Sequence, residues 1–198
     1  MFWRRSVRRM TLLVIGVFCL ALQTTALPEQ VSRQPASPLW HSLQQSDWIA
    51  VGSTRPRHVV YIFTDPNCPY CHDLWLALRP YYHQGLQVRN VLVDVISDSS
   101  PGKAAAILQA RSPLAALNKN EGGWGLRSDG GGGIAPLLHP QPNILNALNA
   151  HVALMMQFGI SGTPGLVFKD NRGELHVIAG LPNNAALTAI IHSAAAPQ

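Results

Sequence analysis

Cysteine is scarce in this sequence, with three residues among 198, at positions 19, 68 and 71. So few thiols exclude a scaffold stapled by several disulfides. They also argue against a closed zinc site, which takes four ligands, because Cys68, Cys71 and His72 have no evident fourth partner. The apolar run near the N-terminus, Thr11 to Leu22, has 12 residues and is short for crossing a bilayer. The glycines between Glu121 and Gly133 lack the following Lys-Ser/Thr that completes a phosphate-cradling loop. No Asp or Glu stands in the apolar run Val59 to Phe63, so no essential base is assigned to that segment.

The first 26 residues differ from the rest. Arg4, Arg5, Arg8 and Arg9 form a basic head, the apolar run follows, and Thr24-Thr-Ala26 supplies small residues at a cleavage position. This reads as an export signal over residues 1–26, which carries the chain to an oxidising compartment. Its removal leaves eleven basic against ten acidic residues, a formal charge of +1. The basicity of the whole chain therefore belongs to the signal and gives no reason to expect nucleic acid as a partner. Cys19 leaves with the signal. In an oxidising compartment, the remaining Cys68 and Cys71 point to a reactive pair rather than a staple.

What the sequence does contain is concentrated in Thr64-Asp-Pro-Asn-Cys-Pro-Tyr-Cys-His-Asp-Leu-Trp75. A strand-like run, His58 to Phe63, precedes it, and Leu74, Leu78 and Tyr82 recur behind it at helical spacing. Strand, turn, Cys-x-x-Cys, helix is the setting of a redox dithiol. Cys68 falls at the helix N-terminus, where unpaired N–H groups and the dipole favour a thiolate, and it is read as the attacking thiol nearer solvent. Cys71, one turn on, resolves the mixed disulfide. Pro69 is tolerated in the first turn, and Pro69, Tyr70 and His72 are read as tuning the thiolate. Cys68 to His72 also fits the Cys-x-x-Cys-His pattern for covalent haem, with Met155 or Met156 as an axial ligand, so a c-type haem electron carrier is an alternative. A redox-inactive protein-binding module is another.

Thr163-Pro164 is the second half of the constellation. Proline before a strand cannot donate to the ladder, and a cis bond there would turn the Thr163 backbone toward the cysteines to pair with an extended substrate. Along the chain, residues 27–47 are read as a short lead and linker-like segment, with a short helix or turn over Leu39 to Ala50. Further expectations are a strand over Val88 to Ile96, a break at Ser97 to Gly102 and a helix from Lys103 to Leu117 interrupted near Pro113. An exposed flexible loop at Gly130 to Gly133 follows, then a helix from Asn143 to Phe158 with Met155 and Met156 on its apolar side. Asp170-Asn-Arg-Gly173 signals a hairpin, and a last helix covers Ala185 to His192. The order predicts an α/β domain over residues 48–198, with a mixed sheet and a helical insertion at about 97–157.

The stretches QSDWIAVG, VVYIFTDPNCPYCHDLW, SPGKAAAILQARSP, SGTPGLVF and AGLPNNAAL resemble the periplasmic DsbC/DsbG thiol:disulfide interchange family, and most of all its DsbG branch. The resemblance runs from about Trp40 to the C-terminus. It implies a thioredoxin-like fold with an inserted helical subdomain and no cofactor. By the same resemblance Cys68 is the attacking cysteine, Cys71 the resolving one, and Thr163-Pro164 the cis-Pro substrate loop. The implied partners are proteins with thiols, disulfides or oxidised cysteines, and a membrane redox partner of the DsbD type. Relatives in that branch carry an N-terminal dimerisation domain, for which the roughly 21 residues between the signal and Asp47 are too few. The expectation is therefore a monomeric, exported oxidoreductase of reductase/isomerase character. A monomeric thiol oxidase is the nearest alternative.

Overall fold

The computed structural model describes residues 36–197; the expected export signal and residues 27–35 of the expected lead lie outside them. In chain order the elements are α1 (Ala36–Gln45), β1 (Trp48–Gly52), β2 (His58–Thr64), α2 (Pro69–Tyr82), β3 (Leu86–Leu92), α3 (Ser100–Leu108), α4 (Pro113–Gly122), α5 (Pro142–Gln157), β4 (Gly165–Lys169), β5 (Leu175–Ala179) and α6 (Asn184–Ser193). The strands form one mixed sheet in the order β1-β3-β2-β4-β5. β2 and β3 are parallel neighbours joined through α2, while β1, β4 and β5 run antiparallel to their partners. Three helices, α3 to α5, separate β3 from β4. The mixed sheet with inserted helices is the architecture the sequence predicts.

β2 sits at the centre because both of its faces are apolar. Val60 and Ile62 pack with Leu74 and Leu78 of α2 and with Leu187 and Ile190 of α6. Val59, Tyr61 and Phe63 face the opposite side, against Leu43 of α1 and Leu154 and Met155 of α5. A third cluster joins Ile49 and Val51 of β1 to Leu92, Ile107, Leu117 and Leu148. At about 1.5–3 kcal/mol for each large side chain buried, these three clusters hold the strand that delivers the cysteines.

Several boundaries differ from the sequence reading, each for a local reason. Leu39 to Ala50 is neither one helix nor a turn: α1 ends at Gln45, and Trp48 opens an edge strand whose alternate residues Ile49 and Val51 turn inward. β3 stops at Leu92, because the amides of Val95 and Ile96 leave the ladder to bond the Asp65 carboxylate at 2.7 and 3.0 Å. Ser97 to Gly102 lies beyond the strand, as expected, and Ser100-Pro-Gly102 also starts α3, with proline where the first-turn N–H has no helical partner. Gly102 is required there, since a Cβ would stand 2.7 Å from the Leu137 carbonyl oxygen. Of the methionine pair, Met155 is in the core and Met156 is 66% exposed. The predicted hairpin forms, with Asp170 accepting from the amides of Arg172 and Glu174.

Candidate active site

Cys68 is the N-cap of α2 in extended conformation, with Pro69 in the first turn. The helix thus opens on a sulfur. No side chain caps α2, and its first amides, those of Tyr70 and Cys71, help to stabilise a thiolate on Cys68. Both cysteines are free thiols. The Cys68 thiol is held down to about 6, chiefly by the hydrogen bond from the Cys71 thiol, against burial, with further help from those amides. Cys71 moves the opposite way: burial, and then the charge and hydrogen bond of Cys68, push its thiol well up.

Exposure does not separate the two, contrary to the reading of Cys68 as the thiol nearer solvent. Cys68 is 1% exposed and Cys71 is 5% exposed. The loop before β4 explains this, because Cys68 Sγ lies 3.3 Å from the Thr163 carbonyl oxygen. What distinguishes Cys68 is its hydrogen bonding. Thr163–Pro164 is a cis peptide, and the Pro164 carbonyl accepts from the Gly180 amide at 2.8 Å, fastening the loop to the end of β5. The Thr163 hydroxyl is buried with no hydrogen-bond partner. Thr163 and Pro164 are therefore brought to Cys68. Tyr70 is 60% exposed and Pro69 also faces solvent beside the thiol.

His72 is not a loosely held surface residue. Its Nδ1 lies 2.9 Å from Glu121 Oε2, and its ring stacks between Trp75 and Trp124, with centroids 6.0 and 4.6 Å away. Glu121 is 4% exposed, and burial pushes its carboxyl up against the hydrogen bonds of His72 and Asn120. Glu121 lines a small cavity together with Thr64, Cys71, Trp75 and Asn90, into which sequence reasoning placed no acid. No local signal could have found it, since Glu121 lies 50 positions from Cys71 near the end of α4. As a haem-attachment motif, Cys68 to His72 would have to expel Trp124 and uncover two buried sulfurs. Met155, the buried member of the proposed axial pair, is packed in the core with Phe63 and Val91.

Beneath the cysteines, the turn Asp65-Pro-Asn67 is pinned by buried polar groups. Asp65 accepts from the Asn67 amide, and Asn67 Nδ2 donates to Ser97, Ser99 and Ser100. Gly130 to Gly133 is not the free loop expected. Gly132 is buried, its amide donates to the Pro66 carbonyl at 3.1 Å, and the Gly133 amide donates to that of Asn120 at 2.8 Å. Elsewhere, a groove of about 550 Å³ beside β1 includes neither cysteine. Asp170, Glu174 and His176 cluster at the hairpin, where Arg172 and the turn amides already engage Asp170.

A sheet of this topology, a dithiol at the N-terminus of α2 and a cis-proline against it are accompanied by a match of residues 44–195 to the family described as a thioredoxin-like domain. The chain belongs to the thioredoxin-like family. Among curated proteins, this thioredoxin-like chain is 31% identical over 157 residues to the thiol:disulfide interchange protein DsbG of Pseudomonas aeruginosa, covering 79% of this chain and 59% of that protein. It is 31% identical over 133 residues to the thiol:disulfide interchange protein DsbC of Haemophilus influenzae, covering 66% and 52%. The chain thus spans little more than half the length of either. Among solved structures, Proteus mirabilis ScsC in a compact conformation superposes with a TM-score of 0.63 at 20% identity, over 82% of this chain and 80% of that one.

The depressed Cys68 value predicts a pH profile. Iodoacetamide should modify Cys68 with a rate that is nearly flat above pH 7 and falls about tenfold per unit below about 6. Peptide mapping across pH 4–9 would check this, and a midpoint near 9 would contradict it. A thiol whose folded value lies below its unfolded one adds stability above the unfolded value. For the reduced protein, that contribution is lost as pH falls through about 6.

Proposed function

We propose that this protein is an exported thiol:disulfide oxidoreductase of the DsbG branch, acting in the periplasm on protein thiols and disulfides. The observation that carries the reading is the opposed pair of sulfurs: a favoured thiolate at Cys68 beside a buried, protonated Cys71. The Cys68 thiolate attacks a client disulfide, forming a mixed disulfide and releasing one client thiolate. Cys71 then loses its proton and attacks Cys68 Sγ, closing the Cys68–Cys71 disulfide and releasing the second client thiolate. Two electrons pass to the client, and the reverse sequence oxidises a client dithiol. Thr163 and Pro164, flanking Cys68, are the surface against which an extended client lies.

The clients are proteins carrying thiols, disulfides or oxidised cysteines, and the electron source is a membrane redox partner of the DsbD type. No cofactor and no nucleic acid enter the reaction. Cys68, Cys71, Thr163 and Pro164 all come from one chain, which supports exchange by a monomer. The test is reduction of insulin with dithiothreitol as the reductant, beside light scattering and repair of scrambled ribonuclease. A monomer that reduces insulin but repairs ribonuclease poorly is expected. No acceleration over dithiothreitol alone would end the reading, and a dimer with efficient repair would end the monomer.

A thiolate this favoured also stabilises the dithiol state, which leans the pair toward taking electrons from client thiols. A monomeric thiol oxidase is therefore the second reading. Equilibration with defined glutathione ratios separates the two, since an oxidase stays reduced at ratios that leave a reductase oxidised.

A further inference from the structure

Lys103 is an unusual place to spend a charge. It lies in the first turns of α3 with its side chain 0% exposed, yet no chemistry described above uses it. Its Nζ is 2.8 Å from Asn67 Oδ1, 2.7 Å from the Gly130 carbonyl, 2.8 Å from the Gly132 carbonyl and 3.2 Å from Asp129 Oδ2. Three ammonium protons are thus shared among four acceptors drawn from two segments. One segment is the turn that ends in Cys68; the other is the glycine loop. A buried cation persists only when its surroundings satisfy it, so the presence of these acceptors fixes where both segments must lie.

The contact between the segments is as close as backbone allows. A Cβ on Gly131 would meet Asn67 Oδ1 at 2.4 Å, and one on Gly132 would meet the Asn120 side chain at 2.0 Å. Gly131 also has φ +60, where a side chain is strained. The two ends of the loop touch, a Cβ on Gly133 standing 2.5 Å from the Gly123 Cα, and the Gly125 amide donates to the Gly131 carbonyl at 2.8 Å. Trp124, which covers His72, lies within this closed loop. The Cys68 amide in turn donates to the Asp65 carbonyl at 3.1 Å, so displacement of the Asp65–Asn67 turn displaces the sulfur.

We propose that Lys103 is a positioning residue for the cysteine pair: its buried ammonium locks the glycine loop to Asn67, and through that turn sets where Cys68 stands against Cys71, Thr163 and the first amides of α2. The groups that favour the Cys68 thiolate are short-range hydrogen bonds, and they weaken when the sulfur shifts. The role rests on the thiol-exchange reading.

The experiment uses the full chain with Lys103→Met, which keeps length and removes the ammonium, and separately with Gly131→Ala, which keeps Lys103 and wedges the loop off Asn67. Iodoacetamide modification of Cys68 is followed from pH 4 to 9 for each, beside thermal unfolding. The expected result is an upward shift of the midpoint by about one pH unit in both variants. That lowers the rate at pH 5 about tenfold and leaves the rate at pH 9 nearly unchanged. A folded Lys103→Met protein with the wild-type profile overturns the proposal even if its melting temperature falls, because a merely structural pin would move stability alone. Should Lys103→Met fail to fold, the Gly131→Ala profile decides in the same way. Alkylation needs no client, so a wild-type protein inert toward insulin would defeat the exchange reading while the profile comparison still judges the role of Lys103.

Discussion

Replacing Cys71 with alanine should turn a catalyst into a trap. The variant keeps the Cys68 nucleophile, so it still attacks client disulfides, but the mixed disulfide has no neighbouring thiol to release it. Loss of the Cys71 thiol also removes the leading hydrogen bond that favours the Cys68 thiolate, so capture slows at pH 6 and below while persisting at pH 8. Insulin reduction should fall by at least about a thousandfold, roughly 4 kcal/mol in barrier. Client proteins should accumulate as adducts that dithiothreitol cleaves, with mass mapping placing them on Cys68. Cys68→Ser should lose turnover and adducts together. Stable adducts found on Cys71 in a Cys68→Ser background would reverse the assignment of attacking and resolving roles.

The largest stability effect is expected at Asp65, whose carboxylate pins the turn before the cysteines. Its side chain is 0% exposed and accepts four hydrogen bonds: from the Asn67 amide at 2.8 Å, Ser100 Oγ at 2.8 Å, and the amides of Val95 and Ile96 at 2.7 and 3.0 Å. Asp65→Ala strands all four donors in the interior. Leaving each unsatisfied costs about 1–3 kcal/mol before relaxation and entering water, so a net loss of about 4 kcal/mol is expected. At roughly 2–4 °C per kcal/mol for a chain of this size, the melting temperature should drop by about 10 °C. Asp65→Asn should recover little, because its amide nitrogen faces donors. Urea unfolding of the oxidised protein would measure this, and a loss below about 1 kcal/mol would show that water replaces the carboxylate.

The contrast between these two residues shows where sequence and structure divide. The redox reading of Cys68 and Cys71 was legible because every requirement is local: an apolar strand, a turn, two thiols one helical turn apart, and the helix amides that follow. The same holds for the hairpin at Asp170 to Gly173, whose turn residues bond their own backbone. Asp65 shows in sequence only as a carboxylate in the turn after the strand. That its partners are Val95 and Ile96 depends on β3 lying parallel beside β2, and this pairing also ends β3 four residues before Ile96, the expected end of the strand.

The sequence by itself determined the α/β class, the mixed sheet and the dithiol at a helix start, because strand and helix periodicity and turn chemistry act over a few residues. Only the tertiary structure decided that both thiols are buried, that His72 is clamped between two tryptophans against Glu121, and that a loop of glycines is docked beneath the cysteines by Lys103. These depend on segments 30 to 95 positions apart meeting at one end of the sheet. A buried lysine or glutamate looks, in sequence, like any charge on an alanine-rich helix. Its cost and its purpose exist only where the fold removes water and supplies the partners.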